Sequence, residues 1–222
     1  MTAAFQAFSD DSLNPPVRGF VHRPQQTSGD GLVLAHGAGS NSNSPLLVTL
    51  AGAFASAGFV VLRCDLPFRQ NRSYGPPRPG DAEQDRNGLR NAVAALKKFG
   101  CERIFLGGHS YGGRQPTMLC AEEHNLAAGL VLLSYPLHPP RKPEQLRVQH
   151  LPKLRTRSLF VHGTRDPFGS IDEMEVALKL IPAKTELLKV EGAGHDLGFK
   201  AKAMPEELAG GVVTKFLDFF GR

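Results

Sequence analysis

The chain has 222 residues, 41% hydrophobic and 21% charged, a globular composition that supplies a sizeable core and excludes a disordered tail, a collagen-like chain or a coiled coil. With 24 Gly and 17 Pro it must be cut by many tight turns, which favours a loop-rich α/β or β protein over a helix bundle. Lys and Arg number 26 against 21 Asp and Glu, leaving +5, which suits anionic ligands and falls far short of a nucleic-acid-binding arm.

The opening string MTAAFQAFSDD turns acidic within ten residues and has no basic region followed by an apolar stretch, so no signal peptide and a cytoplasmic location are expected. Short apolar runs at Val17–His22, Gly31–Ala35, Phe59–Arg63, Arg103–Leu106, Gly129–Leu133, Ser158–Val161 and Glu186–Val190 have the length and residue types of strands. Between them, Pro45–Ala57, Ala82–Phe99, Tyr111–Asn125, Ile171–Leu180 and Pro205–Phe220 have helical length and spacing. From Pro45 to Leu62, 18 residues carry no charge, the minimum for a membrane span. Thr49, Gly52, Ser56 and Gly58 dilute that stretch, and Gly58 falls where an alanine-rich helix hands over to the β-branched FVVL, so helix, turn and buried strand are expected and no membrane contact.

From Gly31 onward the strand candidates are nearly all apolar, as strands covered on both faces by helices must be. Strand then helix, repeated without a linker long enough to divide the chain, predicts an α/β fold with a mostly parallel doubly wound sheet, in one domain over residues 1–222. Two connections exceed what such a fold needs: Asp65–Asp81, rich in Pro and Arg, and Ser134–Arg157. Both leave carboxyl ends of strands, where parallel sheets build their ligand crevice. Cys64, Cys101 and Cys120 stand at unrelated spacings with no zinc pattern, and are expected to be reduced.

Chemistry concentrates at four of the strand ends. Ile104-Phe105-Leu106-Gly107-Gly108-His109-Ser110-Tyr111-Gly112-Gly113 is a strand entering G-H-S-Y-G and then a helix. A serine at the tip of such a sharp turn sits in a strained backbone conformation, Gly108 and Gly112 remove the Cβ atoms that would collide across it, and the helix N-terminus and Tyr111 N–H face the charge that develops when an acyl group is attacked. Ser110 is therefore the candidate nucleophile. A serine needs a base, and the base an orienting acid. The run Ser158–Val161 leads to Asp166 and the run Glu186–Val190 to His195 between glycine-rich flanks, which puts the candidates in the chain order Ser110, Asp166, His195 expected on an α/β-hydrolase sheet. His162 is the rival base, Asp172 and Asp196 are rival acids, and Asp166 before Pro167 also has the make-up of a plain turn. Upstream, Gly31–Ala35 ends in His36-Gly37-Ala38-Gly39-Ser40, an HG-type turn whose Ala38 N–H is the candidate second oxyanion donor beside that of Tyr111. A phosphate-cradling loop is not expected there, because neither GxxxxGK[ST] nor GxGxxG occurs.

The strings LAHGAGS, GGHSYGGRQ, SYPLHPP, LFVHGTRDPFG and EGAGHDL resemble the α/β-hydrolase superfamily, specifically small, nearly lidless hydrolases related to dienelactone hydrolases. Within it they are similar to a branch of predicted hydrolases that also holds a subunit of an animal histone-acetyltransferase complex and testis-expressed relatives. The resemblance runs from about Val17 to the C-terminus and implies Ser110 as nucleophile, Asp166 as acid and His195 as base. Dienelactone hydrolases proper tend to carry cysteine where this chain has Ser110.

The expected activity is hydrolysis of a small ester or thioester through an acyl-enzyme on Ser110, with no metal or organic cofactor; the alternative is a non-catalytic scaffold or binding module that keeps the fold. The 24 residues from Ser134 to Arg157 are too few for a large lid, so an open site for small-molecule esters is expected. That segment carries Arg141, Lys142, Arg147, Lys153, Arg155 and Arg157 against Glu144 alone, which suits an anionic acyl substrate or a solvated basic face. Phe68, Arg69 and Arg72 are candidates to line the same crevice.

Overall fold

A computed structural model describes residues 5–197 and 205–221. In chain order these form β1 (Phe5–Asp10), β2 (Val17–His22), β3 (Asp30–Ala35), α1 (Pro45–Ser56), β4 (Val60–Cys64), α2 (Pro67–Asn71), α3 (Asp81–Lys98), β5 (Arg103–His109), α4 (Tyr111–Glu122), β6 (Gly129–Leu133), a 3₁₀ turn at Leu151–Lys153, β7 (Ser158–Gly163), α5 (Ile171–Leu178), β8 (Thr185–Val190) and α6 (Glu206–Phe220). Side chains cap the starts of α1 and α5. Ser44 Oγ accepts from Leu47 N–H at 3.3 Å with Pro45 in the first turn, and Ser170 and Glu173 form a capping box at α5. The uncharged stretch 45–62 resolves into α1, a turn at Gly58 with φ +96°, and β4.

All eight strands join one sheet in the order β1-β2-β4-β3-β5-β6-β7-β8, antiparallel at the β1/β2 and β2/β4 pairs and parallel elsewhere. Alternation along the strands divides the core. Leu32, Leu34, Phe105, Val131, Leu159 and Val161 face α1 and α6, while Val33, Leu62, Leu106, Leu132 and Phe160 face α3, α4 and α5. No lid subdomain stands between β6 and β7, where the segment 134–157 contains only the 3₁₀ turn as regular structure.

The strand order reverses between β3 and β5, with β4 on one side and β6 to β8 on the other. The parallel register pairs Ala35 with Gly108, so the loops leaving β3 and β5 emerge side by side at this switch point. Two elements lie beyond the sequence-based expectation. β1 pairs with β2 at the sheet edge, where the rings of Phe5 and Phe20 lie 4.7 and 5.0 Å from the buried Arg63 guanidinium. Within Asp65–Asp81, Pro67–Asn71 winds into α2. Cys64, Cys101 and Cys120 are buried and unbridged, and burial pushes the Cys64 and Cys120 thiols up to about 12. No helix among the described residues is long and apolar enough to cross a membrane.

Candidate active site

Ser110 sits between β5 and α4 at φ 53°, ψ −118°, a conformation that costs a non-glycine residue on the order of 1–3 kcal/mol. Close backbone packing holds it there. A Cβ on Gly112 would lie 2.4 Å from the His36 carbonyl oxygen and one on Gly108 2.2 Å from that of Ala35, so only glycine lets the β3 and β5 loops approach so closely. Ser110 N–H donates to Leu133 O at 2.9 Å, and its own carbonyl accepts from Gly113 and Arg114 at the start of α4.

His195 and Asp166 reach this serine from β8 and β7. His195 Nε2 lies 2.8 Å from Ser110 Oγ, and Nδ1 lies 2.8 and 3.0 Å from the two oxygens of Asp166. With Nδ1–H donating a hydrogen bond to the carboxylate, Nε2 is left to accept the serine proton. Asp166 is buried and its Oδ1 also accepts from Phe168 N–H at 2.8 Å, so the Asp-Pro turn and the carboxylate facing His195 are the same feature. The Phe168 ring stacks on the imidazole with centroids 4.0 Å apart.

The rivals are occupied elsewhere. His162 is buried and its Nε2 donates to Gly169 O at 2.8 Å, and burial holds its imidazole below the usual range. Asp172 sits exposed in the first turn of α5. Asp196 follows the histidine and is half-buried, while Nδ1 of His195 faces Asp166.

On the β3 side, His36 is fully buried, with Nδ1 2.8 Å from Gly37 O and Nε2 accepting from Leu66 N–H at 3.1 Å. Burial keeps this imidazole neutral by lowering its pKa, as the accepting nitrogen requires. Among the described residues, the N–H groups of Ala38 and Tyr111 donate to no other group, and the latter opens α4, where helix geometry leaves donors unpaired. The Ala38 carbonyl accepts from Arg69 Nη2 at 2.9 Å, and the same guanidinium reaches Ser40 O at 2.8 Å, Gly75 O at 2.9 Å and Arg72 O at 3.1 Å. Arg69 is only 7% exposed.

That placement corrects the expectation that Phe68, Arg69 and Arg72 line the crevice. Phe68 is buried between His36 and Tyr111, Arg69 is consumed by four backbone carbonyls, and Arg72 pairs with Asp81 at 2.7 Å. Two positioning groups carried no readable signal. His109 Nε2 donates to His195 O at 2.8 Å, and burial lowers its imidazole to about 4. Asp85 accepts from Phe68 N–H at 3.0 Å and from the Tyr111 hydroxyl at 2.7 Å, with its carboxyl raised by burial.

No group of three or more His, Cys, Asp or Glu side chains among the described residues is arranged to hold a metal ion. A model of the α/β hydrolase domain family matches residues 28–209, and the chain belongs to that family. Its fold is similar to that of a dienelactone hydrolase from Anabaena variabilis, with 19% identity, 98% of each chain covered and a TM-score of 0.76. A serine hydrolase described as lacking a lid, from Xanthomonas campestris, is 14% identical over 100% of this chain and 98% of that one, with a TM-score of 0.73. A serine hydrolase homologue from Coxiella burnetii shares 18% identity over 97% of this chain and 98% of the other, with a TM-score of 0.72.

Proposed function

We propose that this member of the α/β hydrolase domain family is a serine hydrolase of small esters or thioesters, working as one domain over residues 1–222 in the cytoplasm. The observation that carries the reading is the continuous chain of contacts from Ser110 Oγ through the His195 ring to the buried Asp166, all at or below 3.0 Å. Ser110 Oγ attacks the carbonyl carbon as its proton passes to His195 Nε2, and Asp166 holds and stabilises the imidazolium. The Ala38 and Tyr111 N–H groups receive the oxyanion. The proton on Nε2 goes to the leaving alcohol or thiol as its bond to the acyl carbon breaks. A water, deprotonated by the same nitrogen, then attacks the acyl-serine, the ester bond to Oγ breaks, and the acid leaves with Ser110 restored. The buried thiols and the short β6–β7 segment support the cytoplasmic and open-site parts of the proposal.

A small fluorophosphonate tests it, because a serine beside a general base and two N–H donors reacts where a turn serine does not. The expected result is a single label at Ser110 on the folded protein and none on Ser110→Ala or heat-unfolded protein. His195→Ala and Asp166→Asn should lower ester turnover by on the order of 10²–10⁴ without loss of fold. A folded wild-type protein left unlabelled after prolonged incubation would move the assignment to the non-catalytic scaffold.

A further inference from the structure

Three arginines from separate elements meet around the first two turns of α4 with no ion pair to any of them among the described residues. Arg114 lies on α4 one turn beyond Ser110, and its backbone N–H donates to the Ser110 carbonyl at 2.9 Å. Arg86 comes from α3 and contacts Gln115 Oε1 at 3.4 Å. Arg147 comes from the β6–β7 segment, held by its Nη1 contact to Pro136 O at 3.2 Å and by the Tyr135 hydroxyl on its carbonyl at 2.8 Å. His150, from the same segment, places Nε2 2.8 Å from Thr117 Oγ1, which also donates to Arg114 O at 2.7 Å. All four side chains are half-buried, not spread into solvent.

Several arginines on neighbouring or comparable elements are paired with carboxylates. Arg90, one turn along α3 from Arg86, bonds Glu123, Arg72 bonds Asp81, and Arg103 holds both oxygens of Asp30 at 2.8 Å. Asp85, whose carboxyl burial raises and Arg86 lowers by less, is already engaged by Tyr111 and the Phe68 N–H. Two buried donors at the cluster have no partner among the described residues: Arg114 Nε and Nε2 of the fully buried Gln115. Burial, reinforced by the Arg114 charge, lowers the pKa of the Arg147 guanidinium, and burial with Arg114 and Arg86 lowers His150 to about 4. Like charges gathered in half-buried positions cost stability, and planar guanidinium donors fit a carboxylate or phosphate in bidentate fashion.

We propose that Arg86, Arg114 and Arg147, backed by neutral His150, form a binding site for the anionic group of the substrate, a carboxylate or phosphate carried on the acyl chain. This rests on Ser110 being the nucleophile. Arg114 follows Ser110 by one helical turn, about 5 Å along the axis, so the site calls for a substrate whose anion lies a few bonds from the ester, as in a short dicarboxylic acid esterified at one end.

The test compares p-nitrophenyl acetate with the p-nitrophenyl monoesters of succinate and glutarate, in wild type and in Arg86→Gln, Arg114→Gln and Arg147→Gln. The ratio of kcat/KM for the anionic over the neutral ester should fall at least about tenfold in each variant, an amount typical of one charged hydrogen-bonding partner. Because the three substitutions lie on three elements, failure of one variant to fold leaves the others decisive. A second readout needs no catalysis. Sodium succinate or inorganic phosphate should raise the wild-type Tm above that in sodium chloride of equal ionic strength, and the rise should shrink in the variants. Phosphate should also compete with the succinyl ester. A Tm rise without competition would show an anion site separate from the substrate and overturn the assignment, as would an unchanged ester ratio or no anion-specific rise. An inert Ser110 alongside an intact anion effect would instead strike the hydrolase reading alone.

Discussion

Two arginine-bearing segments flank Ser110, and they use the same side chain in opposite ways. In 65–81, Arg69 turns inward and gives its donors to the carbonyls of Ala38, Ser40, Arg72 and Gly75, Gln70 bonds Pro16 O and Asp65 O, and Asp65 accepts from Ser42 N–H at 2.7 Å. In 134–157, Arg147 has one long backbone contact, and Lys153 and Arg155 are exposed. What differs is the supply of acceptors. A Gly- and Pro-rich loop curled over the β3 turn presents several carbonyls to one guanidinium, whereas the β6–β7 segment turns its carbonyls to its own backbone. A cation saturated by carbonyls shapes a loop, and one left unsaturated is available to a ligand.

The sharpest break of this contrast is at Arg69. Removing its guanidinium in Arg69→Met leaves the Ala38 and Ser40 carbonyls without donors and frees the turn that carries the Ala38 N–H, the proposed oxyanion donor. One oxyanion donor is worth about 10²–10³ in rate, so kcat for a neutral ester should fall by about 10²-fold with KM changed less than about threefold. Arg69→Lys should recover little of it, because an ammonium cannot span four carbonyls in a planar fork. Steady-state kinetics and the rate of fluorophosphonate labelling measure this. A rise in KM at constant kcat would make Arg69 a substrate contact and erase the difference between the segments.

How much of this was legible in the sequence follows from where each signal resides. The strands around the site announce themselves because burial on both faces demands unbroken apolar runs, as in Leu32 to Ala35, and Ser110 and Asp166 follow such runs, while His195 follows the half-buried edge strand β8 before a glycine-rich turn. β1 was hidden because FQAFSD is largely exposed and gains its pairing only from β2. α2 was hidden because five residues starting with proline read as loop, and its N-terminal Phe68 N–H finds its acceptor on Asp85 of α3. Arg69 and His109 were unreadable as positioning groups for a common reason: their partners are backbone carbonyls, which every residue has. The six basic residues of 134–157 formed one block in sequence, yet the fold sends Arg157 to Phe219 O at the far end of the sheet and only Arg147 and His150 to α4.

A smaller effect distinguishes the two segments by acid. His36 in the β3 turn and His150 in the β6–β7 segment are both kept neutral by burial, His150 down to about 4, whereas an unfolded histidine titrates near 6.5. For a base whose folded pKa is depressed, the unfolded state binds protons first, so stability falls as pH drops from about 6.5 towards 4 and is unaffected above that window. Thermal melts across this range should show a falling Tm, by about 2–4 °C per kcal/mol for a chain of this size. His150→Gln should make the fall shallower. Saturating phosphate should do the same for wild type, since a bound anion offsets the charge on a protonated His150, while the share due to the other buried histidines, His22, His36, His109 and His162, persists. Equal slopes in wild type and His150→Gln would remove His150 from the titrating set.

The smallest expected effect separates the cluster at α4 from the charge of its segment as a whole. Arg141, Lys153 and Arg155 are exposed, and none has a side-chain hydrogen bond or ion pair among the described residues. If the segment acted only as a diffuse positive field, neutralising these three would weaken anionic esters about as much as neutralising Arg147, and added salt would abolish the preference, because exposed charges are screened over about 8–10 Å. A site built from half-buried guanidinium groups behaves differently. It makes short contacts that salt screens weakly, so the triple variant Arg141→Gln, Lys153→Gln, Arg155→Gln should change the anionic-to-neutral ratio of kcat/KM by less than about twofold, mostly through association rate. Raising sodium chloride from low to moderate concentration should likewise trim the ratio in wild type while leaving most of it. Kinetics on the succinyl and acetyl esters at several ionic strengths measure both. A triple variant that loses as much as Arg147→Gln would return the preference to the block of charge visible in the sequence, and with it the contrast between the two segments would reduce to net charge.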